Sequence, residues 1–170
     1  ESGSMPLGYY NGSDLAPQNI ASVIAQVKPG TVVIIGEKHY NKLAQKSQME
    51  VLEALRSKGL IVSVGLEFIS YPAQAALENF RQGLITETEF IKQADWGGAP
   101  FDGYRELALF PLGSEGGQSL GINAPRQLTS KIAKLGMSSL VTEEIRLLPP
   151  QFQLGRDSYK KRFSEIMSPH

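Results

Sequence analysis

The feature that most constrains this chain is Thr31-Val32-Val33-Ile34-Ile35, five apolar or β-branched residues in a row, ended by Gly36. A short continuous run of this kind, closed by a glycine, predicts a strand buried on both faces, the pattern of a central parallel strand. The residues that follow, Glu37-Lys38-His39-Tyr40-Asn41, are polar and place a carboxylate two positions from one of the two histidines in the chain. In an open α/β sheet the carboxyl ends of strands are where ligands bind, because the loops there are free to carry side chains into a crevice.

The 170 residues are enough for one domain with a full core. Seventeen basic and seventeen acidic residues balance to a formal net charge of zero, which gives no reason to expect nucleic acid or an anionic membrane surface as partner. No run reaches the roughly 18 apolar residues of a membrane-spanning helix. Cysteine is absent, which removes disulfides, thiolate nucleophiles and Cys-type zinc sites. Glu1-Ser2-Gly3-Ser4-Met5 reads as a cloning remnant, so residues 1–30 form a leader with one short helix carried by Ile20, Val23, Ile24 and Val27. Residues 31–170 then make a single α/β domain with a mainly parallel sheet flanked by helices.

Within that domain, local signals repeat a strand, polar residue, helix rhythm. Leu43 to Lys58 carries the apolar-side stripe Ala44, Gln48, Val51, Leu52 and Leu55, and Gly59 stops it. Leu60 to Leu66 predicts a second strand, with Glu67 at its carboxyl end. Ser70 and Pro72 announce a helix that Gly83 ends, and Thr86-x-x-Glu89 has the form of a capping box. Asp95 to Phe101 is a loop holding the single tryptophan, and a helix follows over 102–109. Ser119 to Asn123 predicts a third strand, Pro125 opens a helix to Leu135, Thr142 reads as an N-cap, and Asp157 caps a last helix with the stripe Tyr159, Phe163, Ile166 and Met167.

This arrangement puts Glu37, His39, Glu67, Asn123 and Arg126 at one sheet edge. His and Glu ligate zinc and similar divalent ions, and an arginine can clamp a carboxylate or phosphate. Taken singly each has an ordinary structural role, such as a Glu67–Arg126 ion pair; taken together they point to a site. Trp96, Phe101 and Tyr104 could wall a flat ligand or form satellite core. The chain lacks a Walker A loop, a Gly-x-Gly-x-x-Gly after the first strand and a Gly-x-Ser-x-Gly elbow, which argues against nucleotide binding and serine hydrolysis.

Five stretches carry a resemblance. Ile35-Gly36-Glu37-Lys38-His39, Val64-Gly65-Leu66-Glu67-Phe68 with Gln74, Trp96 with Tyr104-Arg105, Ile122-Asn123-Ala124-Pro125-Arg126, and Leu148-Pro149-Pro150 with Tyr159, Phe163 and His170 together resemble the ChaN family of iron-regulated, haem-binding lipoproteins, within the haem-binding-uptake and Tiki superfamily. The resemblance implies a haem-binding, non-enzymatic role in bacterial iron acquisition at the cell envelope, periplasm-facing or lipid-anchored, with a haem-uptake receptor or transporter as partner. It also implies an alternative, a metal-dependent hydrolase using Gly36-x-x-His39 with His39, Glu37 and Glu67 on a divalent ion. Family members usually continue for about another hundred residues with a second histidine motif, so the resemblance implies an incomplete family domain that self-associates or pairs with the remaining segment. Tyr40 and Tyr71 depart from the family pattern. A phenolate can ligate haem iron, so Tyr40, Tyr71, His39 and His170 are the candidate axial ligands, with Arg126 or Lys38 meeting a propionate.

Overall fold

A computed structural model describes residues 8–97, 100–111, 116–150 and 155–167. The chain divides into two compact units, Glu1–Pro125 and Arg126–His170. In the first, β1 (Tyr9–Tyr10) and β2 (Pro17–Gln18) make a small antiparallel pair, absent from the sequence reading because two-residue strands carry no periodicity. α1 (Ile20–Ile24) begins where the Asn19 side chain accepts from Ser22 N at 2.8 Å. α2 (Lys42–Ser57) is capped in the same way, Asn41 Oδ1 accepting from Leu43 N and Ala44 N at 2.9 and 3.0 Å. Its end is set by Gly59, at φ 82°, a left-handed turn that glycine takes without a Cβ penalty.

β3 (Val64–Ser70) and β4 (Ser119–Asn123) pair in parallel, in the register Val64↔Ser119, Gly65↔Leu120, Leu66↔Gly121 and, past an irregularity, Ser70↔Asn123. Between them lie a 3-10 turn (Tyr71–Ala73), α3 (Gln74–Arg81), α4 (Glu87–Gln93) and α5 (Asp102–Leu109). The parallel pair flanked by helices makes the unit α/β. α4 opens on the capping box expected from Thr86 and Glu89: Thr86 Oγ1 accepts from Glu89 N at 3.3 Å, and Glu89 Oε2 accepts from Thr86 N at 2.7 Å. The Gln74 amide covers the outer edge of β4, donating to Ser119 O and accepting from Gly121 N, both at 2.8 Å.

The main core gathers Leu52 from α2, Val64, Leu66 and Ile69 from β3, Leu77 from α3, Phe90 from α4, Leu107 and Ala108 from α5, and the loop residues Trp96 and Phe101. Leu77 and Phe90 are completely buried, which stabilises the unit by roughly 1.5–3 kcal/mol per side chain. Neighbouring positions on α2, Val51 and Leu55, turn to a second cluster with Ile24 of α1.

Two strand expectations are overturned. Thr31–Ile35 is not a strand: Val32 and Ile34 are 83% and 91% exposed, and the run begins with Thr31 N–H donating to Lys28 O at 3.0 Å across a turn. An aliphatic run states a capacity for burial, whereas a strand also needs a partner it pairs with. Among the described residues the parallel sheet holds β3 and β4 alone, and the run does not pair with the β3 edge that β4 leaves open. The second strand lies at Val64–Ser70, not 60–66, so Glu67 is inside it rather than at its end.

In the second unit, α6 (Arg126–Leu135) and α7 (Thr142–Ile145) are joined by Lys131 Nζ, which meets Glu144 Oε2 at 2.6 Å. Thr142 is the first helical residue of α7 rather than its cap, and Glu144 accepts from Val141 N at 2.9 Å instead. α8 (Asp157–Met167) completes the described chain.

Candidate functional site

The turn between Gly36 and Asn41 is shaped by its own sequence. Asn41 is spent on capping α2, and Tyr40 immediately before it takes φ 64°. A bulky side chain in the left-handed region is an outlier costing roughly 1–3 kcal/mol, held only when its surroundings enforce it. Here Tyr40 N–H donates to Tyr104 Oη at 3.2 Å, and Tyr104 is fixed on α5.

Glu37 is the hub. Its side chain is 8% exposed and three groups converge on it. Tyr104 Oη donates to Oε1, Gln48 Nε2 of α2 donates to Oε2 at 3.1 Å, and His39 Nδ1 lies 3.4 Å from Oε1. A buried carboxylate needs such donors to offset its lost hydration. Gln48 Oε1 is itself buried and, among the described residues, has no hydrogen-bond partner. Burial, and then the hydrogen bond to the Glu37 carboxylate, push the Tyr104 phenol above its usual range, so at neutral pH it stays protonated and acts as donor.

Aromatic rings line the same place. Phe68 of β3 meets the His39 ring edge-on, centroids 4.8 Å apart at 69°, and lies 4.8 Å from Tyr104 and 5.5 Å from Trp96. Tyr40 stands 6.4 Å from Tyr104 at 88°. Trp96, Phe101 and Tyr104 are buried in the main core, not in a satellite, and Phe68 links them to the exposed rings of His39 and Tyr40. The arrangement presents an imidazole and a phenol at the surface beside an aromatic bed, suited to a flat, apolar ligand with an electrophilic centre.

The remaining expected residues are placed as follows. Glu67 is exposed and, among the described residues, its side chain makes no hydrogen bond or ion pair. The set His39, Glu37 and Glu67 does not assemble as a ligand group. Among the described residues no group of three His, Asp, Glu or Cys stands ready for a metal ion. Asn123 ends β4 beside Ser70. Tyr71 opens the 3-10 turn after β3 and is partly exposed, and Lys38 is exposed. Arg126 opens α6 in the second unit, with its side chain exposed. His170 lies outside the described residues.

Gln48 and Phe68 were not singled out for the site from sequence. The signals were there: Gln48 is the polar member of an otherwise apolar stripe, and Phe68 continues the alternation Val64, Leu66.

No curated protein and no solved structure matches the chain. A family model described as haem-binding uptake, Tiki superfamily, ChaN, matches residues 23–170, a span that takes in the Glu37 hub, the aromatic bed, most of the first unit and all of the second. The chain therefore belongs to the ChaN family of the haem-binding uptake, Tiki superfamily.

Proposed function

We propose that the protein binds haem, without catalysing a reaction, as part of bacterial haem uptake or iron acquisition at the cell envelope. The observation that carries this reading is the exposed pair His39 and Tyr40 seated beside Phe68 and braced by the buried Glu37. Bound haem would supply a flat apolar face and an iron that accepts a phenolate or imidazole. The donors present fit it. Glu37 engages His39 Nδ1, which orients the ring and leaves Nε2 as its free nitrogen. Tyr40 is 53% exposed, and its enforced backbone keeps the phenol off the core. The tether on His39 favours Tyr40 as the iron ligand, with Tyr71 as a further phenol and Lys38 as a propionate partner. A haem-uptake receptor or transporter, and a second copy of the chain, are the partners this role calls for. The hydrolase alternative finds less support, since it needs the third ligand that Glu67 does not supply.

Titrating the protein with haemin tests this reading. A shifted Soret band at stoichiometric haemin is expected, and Tyr40→Phe should both change its position and weaken the affinity. Absence of a Soret shift, or wild-type spectra and affinities for Tyr40→Phe, His39→Ala and Tyr71→Phe alike, would sink it.

A further inference from the structure

α8 is exposed at every described side chain, from Asp157 to Ile166. Among its described side chains the large apolar ones, Tyr159, Phe163 and Ile166, are 57%, 65% and 62% exposed. An isolated helix of 11 residues is marginal in water, since helices shorter than about 12–15 residues seldom hold without packing. The distribution of charge around it identifies what it packs against. With about 100° between successive residues, Tyr159, Phe163 and Ile166 fall in one stripe. Lys160 and Arg162 fall on its two shoulders. Both acids, Asp157 and Glu165, fall on the far side with Lys161.

We propose that α8 is a surface-seeking helix that lies in the headgroup region of an anionic lipid bilayer. The apolar stripe enters the acyl boundary, the long stems of Lys160 and Arg162 carry their charges up to the phosphates, and the carboxylates face water. A protein partner with an apolar groove would take the stripe but gives no reason for cations on both shoulders and acids turned away. A balanced charge over the whole chain conceals this local arrangement. The inference stands apart from the haem reading, which rests on Glu37, His39, Tyr40 and Phe68 of the other unit.

The test is flotation of the full chain with vesicles of phosphatidylcholine alone and of phosphatidylcholine mixed with phosphatidylglycerol. Preferential binding to the mixed vesicles is expected, falling with added salt. Phe163→Glu should lower partitioning about tenfold or more, and Lys160→Ser and Arg162→Ser roughly fivefold each on the anionic vesicles. Lys161→Ser, on the far side, should cost less. Ile166→Ser serves as a second stripe variant, and circular dichroism checks that each variant keeps its helix content. Failure to float with anionic vesicles, or wild-type flotation by both stripe variants, overturns the proposal. So does a dimer that Phe163→Glu converts to monomer without any vesicle binding, which would assign the stripe to a second copy.

Discussion

Glu37 shows how one residue can set the geometry of a surface. Its carboxylate is out of water, so Tyr104, Gln48 and His39 are drawn to it from α5, α2 and its own loop, and the position of two exposed rings follows. Tyr104→Phe removes one donor while leaving the ring. The expected result is a loss of about 1–3 kcal/mol at neutral pH, because the carboxylate stays buried and less satisfied, read from urea denaturation. The pH dependence has a definite sign. Tyr104 has its pKa raised by burial and by Glu37, so the folded chain holds that proton longer than the unfolded chain. Its contribution is fully present below the unfolded tyrosine value of about 10 and is lost as pH rises through the higher folded value. Tyr9 is raised in the same direction by burial and by Glu50, so the comparison to make is wild type against Tyr104→Phe. The wild type should lose more stability on going above about pH 10, and equal losses would show that the phenol is not the titrating group.

At the scale of elements, the helices could be read from sequence because their limits are local. Asn41, Thr86 and Gly59 act on the turn beside them, and the helix expected over 102–109 forms at Asp102–Leu109. Strands were less legible. β4 forms at Ser119–Asn123 as expected, but the 60–66 run shifted to Val64–Ser70 because an apolar run carries no register. That register now rests on Gly121. A Cβ there would lie 2.8 Å from Ser70 O and 2.9 Å from Ile69 Cγ2, against backbone that cannot yield without opening the ladder. Gly121→Ala should cost about 1–3 kcal/mol by urea denaturation. Gly65→Ala, whose Cβ would meet only the Ile122 side chain at 3.2 Å, should cost less, and the reverse order would contradict this register.

At the scale of the molecule, the conspicuous feature is the apolar run left uncovered after Thr31. Large exposed apolar stretches mark association surfaces, so the protein is expected to self-associate at micromolar concentration, with Ile34→Lys shifting it towards monomer in sedimentation velocity. A wild type that sediments as a clean monomer would remove that expectation. By itself the sequence determined the helices, the family and the neighbourhood of Glu37 and His39, because each is written in short-range spacing or in a contiguous motif. Only the tertiary structure decided that Thr31–Ile35 stays outside the ladder, that Glu67 does not join His39 and Glu37 in a ligand group, that Gln48 and Tyr104 converge on Glu37, and that Phe68 lies against His39. Those outcomes depend on which edges pair and on strand register, and such interactions join residues far apart in the chain, where local pattern carries no information.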